Sequence, residues 1–351
     1  MKRLALGVVV LLLVVLGVFL ARLAGSGARV EELMEALRRD GILIEYTEER
    51  SIPSAFEETL MRAVAERHDR DRCRALLLEA ARGEAVALPH AFWGVYPQDF
   101  YPSAAIQTAK DTFHQDVYEL RRTGAPREEI LLRANAAWIL AERIDCGQGW
   151  HWKLQQMVAE WVARCAAASP ESLARIWLPR FEAAERPERF RQHLDFIVSR
   201  ELDRKHRYWP HMPWSTKLQY GANVVPGLER MIENRALALT LDPSLVKSGR
   251  RSFGPAPVDV PGPLRALEIY LQTLVSLRTA RATFVVQRER ARTGVWPDSL
   301  ASLFPDGVPV SPFSGKPLTY QPGQWIRCDG GGIGHDIQFG LSSAGWKRAP
   351  R

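Results

Sequence analysis

GVWPDSLASLFPDGVPVSPFSGKPLTYQPGQWIRCDGGGIGHDIQFGLSS, residues 294–343, is the stretch whose reading decides how this chain is built. A long helical pattern enters it, with Leu267, Tyr270, Leu274, Leu277 and Phe284 at helical spacing and arginines between them. Gly294 predicts the end of that helix, because glycine takes the left-handed cap conformation without strain. Pro297 suits the first turn of a short helix, where its missing N–H costs nothing, with Leu300 and Leu303 facing inward. Pro305, Asp306 and Gly307 predict one turn, and Ser314 with Gly315 a second. Beyond them the period changes from helical to alternating. Leu318 and Tyr320 lie two apart, as do Ile337, Phe339 and Leu341. A short strand, a hairpin from Cys328 to Gly334 and a second strand account for this pattern.

Three pieces stand in order: G-x-W-P-x-S-L-x-x-L-x-P at 294–305, P-F-S-G-K-P-L-x-Y at 312–320 and F-G-L-S-S-A-G at 339–345. This order resembles the C-terminal module of type II secretion major pseudopilins. It resembles more closely a group of membrane-anchored bacterial proteins that end in the same helix, loop and hairpin. The resemblance covers roughly the last sixty or seventy residues. Two departures limit what it implies. Ser311 stands where pseudopilins usually carry an acidic residue before the Pro-Phe step. Their calcium loop carries aspartates where this chain has Ser343, Ala344, Gly345 and Trp346. A hard cation wants several oxygen ligands, carboxylates above all, so no calcium site is expected.

The N-terminus carries the clearest physical signal. Lys2 and Arg3 precede an unbroken apolar run over residues 4–21, about long enough to cross a bilayer core. It has no polar face, which sets it apart from an ordinary surface helix. Arg22 follows directly, and the reading is an uncleaved anchor. The small residues Ala24, Gly25, Ser26, Gly27 and Ala28 leave a removed signal peptide as the alternative. The leading basic pair predicts a cytoplasmic N-terminus and an outward body, with Arg22 and Arg29 opposing the bias. A pseudopilin would be processed before a Phe-like residue, with Glu five positions into the mature chain. After Gly17 come Val18, Phe19, Leu20, Ala21 and Arg22, so this chain is not expected to be a filament subunit.

Between these ends the pattern is helical. One face is Val30, Leu33, Met34 and Leu37; Ser54 with Glu57 reads as a capping box. Further helices are predicted through Leu76 and Leu77, over 103–122, through Ile130 to Ile144, and over 148–168. Leu173, Ile176 and Trp177 give the next face, then Phe190, Leu194, Ile197 and Val198. A long helix over 218–241 is expected to break near Pro226. The expected fold class is mainly α: an N-terminal transmembrane helix, a multi-helix body and a small C-terminal α/β module. The expected division is an anchor over 1–28, a helical domain over 29–241, a Pro/Gly-rich linker over 242–262 and the long helix with its module over 263–351.

The chain has 351 residues and a net charge of +7. Its basic residues are dispersed among acids such as Glu31, Glu32, Glu57, Glu58, Glu128 and Glu129, so nucleic-acid binding is not expected. Two proline-rich aromatic loops stand out. Trp93 and Tyr96 lie in one, and Tyr208, Trp209 and Trp214 in the other. These five are the candidate partner-binding residues, because aromatics combine large apolar area with a polar handle. The competing reading is that the loops anchor to the core.

No His-Glu-x-x-His occurs, and Asp111, His114 and Asp116 lack the spacing of a zinc site. His206 and His211 share one loop without a third ligand beside them. His151 with Cys146 or Cys165 would need hydrogen-bond reach to act as a nucleophile pair. No metal, cofactor or catalytic residue is assigned. Outside the cytoplasm Cys146 and Cys165 could join neighbouring helices; Cys73 and Cys328 are widely spaced from them. The glycines 330–332 lack the Lys-Ser/Thr of a phosphate loop.

The expectation is a single-pass inner-membrane protein with its body in the periplasm or outside the cell. Its partners would be the membrane and an envelope protein, and its role a non-catalytic scaffold linked to secretion or surface assembly. An envelope hydrolase and an accessory pseudopilus component remain as alternatives.

Overall fold

The computed structural model describes residues 2–42, 55–83, 102–143, 150–166, 170–208, 214–249, 262–330 and 336–341. Within those helices, the side chains of residues 2–12, 19, 21–27, 102–103, 150, 200–201, 203–225 and 247–249 lie outside the description.

In chain order the helices are α1 (Lys2–Arg39), α2 (Ala55–Ala65), α3 (Arg70–Arg82), α4 (Pro102–Arg122), α5 (Arg127–Arg143) and α6 (Trp150–Cys165). There follow α7 (Pro170–Ala184), α8 (Pro187–Tyr208), α9 (Trp214–Ala238), α10 (Ser244–Gly249) and α11 (Pro263–Thr293). Three strands close the chain: β1 (Thr319–Gln321), β2 (Trp325–Cys328) and β3 (Ile337–Gly340). The chain is mainly helical with a small antiparallel sheet, as the periodicity predicts.

It divides into two compact units: Met1–Glu45 with Arg191–Thr240, and Tyr46–Phe190 with Leu241–Arg351. Each unit is built from two segments of the chain. Side-chain packing joins segments remote in sequence, and local composition carries no signal of that.

In the first unit the second half of α1 is amphipathic. Val30, Met34 and Leu37 bury their side chains against Val198, Leu202 and Leu228. Asp195 of α8 accepts from Arg235 of α9, Nε at 2.6 Å. The expected break near Pro226 is absent: α9 runs through it. Proline removes one ladder hydrogen bond and crowds one carbonyl. Arg230 Nε donates to the Pro226 carbonyl at 3.2 Å; the carbonyl that the proline leaves without its ladder donor is that of Ala222, one turn back.

In the second unit α11 is the central element. Leu267, Tyr270, Leu271, Leu274, Leu277, Ala280, Phe284 and Val286 are all buried, and so are Thr273, Ser276, Thr279, Thr283 and Gln287 between them. From residue 266 to residue 287 the helix is thus covered on every side. Trp138 of α5 meets Trp177 and Phe181 of α7 edge-on, both with ring centroids 5.7 Å apart. Phe190 stacks on Tyr270 at 4.6 Å. Thr273 donates to the Trp152 carbonyl at 3.1 Å and Tyr270 to the Glu185 carbonyl at 2.9 Å, which fixes the height of α11 against its neighbours.

Gly294 ends α11 as predicted, at φ 76°, with its N–H on the Arg290 carbonyl at 2.8 Å. The short helix expected after Pro297 is a run of turns. Leu300 is buried as expected, whereas Leu303 is only half-buried. The sheet has order β1-β2-β3, with Tyr320 opposite Ile326 and Ile326 opposite Phe339. Two strands were expected and three are present. The missing one is β2, whose buried Ile326 and Cys328 alternate with the more exposed Trp325 and Arg327.

Candidate functional site

α1 is the element that burial alone leaves unexplained. Leu13, Val14, Val15, Leu16, Val18 and Leu20 are 44–62 % exposed. Six large apolar side chains within eight positions face solvent on every side of the helix, because consecutive residues advance around the axis by about 100°. Leaving a Val or Leu in water forgoes about 1.5–3 kcal/mol per side chain. Among the described residues, no helix is long and apolar enough to cross a membrane. The side chains of residues 2–12, 19 and 21–27 of α1 lie outside the described residues. The transmembrane helix expected within residues 1–28 is therefore not seen as a full span.

The transition from exposed to packed helix falls at Arg29. Its Nε and Nη2 donate to Glu229 Oε1 of α9 at 3.1 and 3.0 Å, and Nη1 donates to Glu32 at 2.8 Å. At the far end of the helix, the Ser199 hydroxyl shares its proton between the Asp195 carbonyl of its own helix at 2.7 Å and the Ile42 carbonyl at 3.1 Å.

The C-terminal module is fastened to α11 by polar side chains that reach backbone. Gln287 Nε2 donates to the Leu341 carbonyl at 2.8 Å and Arg278 Nη1 to the Val310 carbonyl at 2.8 Å. Ser311 is buried, accepts from the Phe313 N–H at 3.2 Å and donates to the Asp329 carbonyl. A hydroxyl can do both; a carboxylate could only accept. Trp296 lies under Arg290, whose guanidinium carbon is 4.1 Å from the ring centroid. Gly323, at φ +70°, lets that indole approach: a Cβ there would stand 3.0 Å from Trp296 Nε1.

Of the five aromatic candidates, Trp93, Tyr96 and Trp209 lie outside the described residues. Tyr208 ends α8 and Trp214 begins α9, with side chains likewise outside the description. Ser54, His211 and Cys146 also fall outside it. Cys165 is a buried free thiol, as are Cys73 and Cys328, so no bridge is seen at the Cys165 end of the expected pair.

The titratable groups that do come together form ion pairs. Asp116 of α4 is buried and accepts from Arg74 at 2.7 Å and Arg133 at 3.0 Å, with Arg70 at 3.5 Å. Burial alone would raise its carboxyl, but the hydrogen bonds from Arg133 and Arg74 outweigh that and hold it below the usual range. Glu119 and Glu129 pair with Arg70 and Arg133 from outside. Burial pushes Glu185 up against the pull of Arg278, and Asp195 up against that of Arg235. Burial likewise pushes the Cys328 thiol up to about 11, which leaves it protonated and unreactive at neutral pH. Sequence reasoning missed the Asp116 cluster, whose members sit on three helices. It named Asp116 only as part of a weak metal pattern with Asp111 and His114. Among the described residues no group of three or more His, Cys, Asp or Glu could hold a metal ion.

No family model, no curated protein and no solved structure matches this chain.

Proposed function

We propose that this chain is a membrane-anchored, extracytoplasmic helical scaffold of the bacterial envelope, held by residues 4–21 of α1 as a single-pass anchor. The observation that carries the reading is the exposed apolar face from Leu13 to Leu20, continuous in sequence with the apolar residues before it. Eighteen residues of helix reach about 27 Å, close to the roughly 30 Å hydrocarbon core. A helix satisfies its own backbone groups, so lipid can cover what no described protein side chain covers.

The non-catalytic half of the reading is supported by the ion pairs. Asp116 and Asp195 hold arginines between helices, which is an architectural use of charge. A link to secretion or surface assembly rests on the C-terminal resemblance alone. Under this reading the capped α11 with its fastened three-stranded module is the pseudopilin-like piece.

The test is fractionation of cells expressing the full chain and a variant lacking residues 2–21. Full-length protein is expected to resist alkaline carbonate extraction, and the shortened one to be released. Full-length protein recovered free in the soluble fraction would end the anchoring proposal. Affinity capture from native membranes that yields no reproducible envelope partner would end the scaffold half.

A further inference from the structure

The anchor proposed above and the folded part of the first unit are one helix. α1 runs without interruption over 38 residues, about 57 Å. The apolar run ends at residue 21, and Val30, the first buried side chain among the described residues, comes nine residues later. Residues 22–29 between them are helical throughout. Gly25 and Gly27 lie in this stretch, each about 1 kcal/mol poorer than alanine in a helix. This is where a loose tether would form, and the helix passes straight through it.

Both ends of the packed half are held. Arg29 pairs with Glu229, and the carbonyl of Ile42 accepts from Ser199. Between them Val30, Met34 and Leu37 sit in one core with Val198, Leu202 and Leu228. A helix built into a core in this way cannot swivel at its base.

Eight residues of helix rise about 12 Å. The headgroup layer on one side of a bilayer is roughly 5–8 Å thick, half the difference between its full and hydrocarbon thicknesses. Little more than one helical turn then separates the packed core from the lipid surface. We infer that α1 is a rigid rod that seats this unit on the phospholipid headgroup layer at a fixed height, in place of a flexible leash. The inference rests on the anchoring reading.

Hydrogen exchange on the full-length protein in vesicles of phosphatidylethanolamine and phosphatidylglycerol tests it. The amides of residues 22–29 are expected to exchange at least about 100-fold more slowly than an unstructured peptide, like those of residues 30–37. A second measurement reads height. Seven helix-forming residues inserted after Ala24 add about 10 Å. They are expected to cause a loss of energy transfer from a fluorophore at Glu233→Cys to acceptor-labelled headgroups. Unprotected amides over 22–29 in a protein that still floats with the vesicles overturn the rod and leave the anchor standing. So does energy transfer indifferent to the insertion. Protein that does not float with the vesicles overturns both.

Discussion

The front half of α1 and the whole of α11 present the same sequence trait with opposite surroundings. Neither has a clean polar face, although α11 carries Arg278 and Arg281 among its apolar residues and α1 over 4–21 carries no charge. Over residues 266–287 of α11 the protein covers every side, while Leu13, Val14, Val15, Leu16, Val18 and Leu20 of α1 stand in the open. The polar residues inside each run separate the two cases. α11 carries buried hydroxyls that return to helix carbonyls: Thr273 to Ile269, Thr279 to Val275, Thr283 to Thr279. Gln287 reaches out to the module. A helix surrounded by protein can carry such groups because partners are at hand. Residues 4–21 of α1 carry none, and hydrocarbon would offer none. Apolar content alone marks a helix for burial; the polar residues mixed into it say what medium buries it.

Truncation should separate the two helices most sharply. Phe284→Ala removes a fully buried ring that touches Phe181, and should cost about 3–5 kcal/mol in denaturant unfolding of the detergent-solubilised protein. Leu16→Ala, at an exposed position, should stay within about 0.5 kcal/mol of the parent. Equal losses at both positions would break the comparison, because Leu16 would then be packed in a protein core.

Charge gives the next largest contrast. Breaking the buried cluster with Asp116→Asn leaves Arg74 and Arg133 short of an anion, and should cost about 3–5 kcal/mol at neutral pH. Glu229→Gln at the exposed Arg29 pair should cost under about 1 kcal/mol. The pH dependence has a definite sign. The Asp116 carboxyl is held below its usual value, so its contribution is present above the unfolded value of about 3.9 and fades as pH falls through the folded one. Acid unfolding of the second unit should therefore be less steep in Asp116→Asn than in the parent. Glu185 and Asp195 are raised, so their contributions run the other way and diminish as pH rises through their folded values.

The smallest effect lies within α11 itself. Ser276 Oγ is buried with no hydrogen-bond partner, whereas Thr273 has two. Ser276→Ala should be neutral or stabilising by up to about 1 kcal/mol in thermal melts, and Thr273→Ala destabilising by about 1 kcal/mol or more. A clear loss at Ser276→Ala would show that this hydroxyl has a partner after all.

Local signals were legible where local forces act. The Gly294 cap follows from the one residue that takes a positive φ without strain. Helix α4 lies within a residue of its predicted span, because Ile106, Phe113 and Val117 repeat at helical spacing over about three turns. The short helix after Pro297 failed because Trp296 is drawn to Arg290 and Gly323, contacts that no local pattern announces. β2 was missed because four residues, two of them Trp325 and Arg327, are too short a run to show alternation. The Asp116 cluster was invisible because its arginines come from α3 and α5, remote in sequence from α4.

By itself the sequence determined that the chain is mainly helical, where α11 stops, and that residues 4–21 have no polar face to offer water. Those are properties of neighbours along the chain. Only tertiary structure decided that α1 joins α8 and α9 in one unit, that α11 is wrapped on all sides over residues 266–287, and that Asp116 gathers three arginines. The reason is that packing and ion pairing depend on distance in space, and a linear pattern fixes distance only within a helical turn or two.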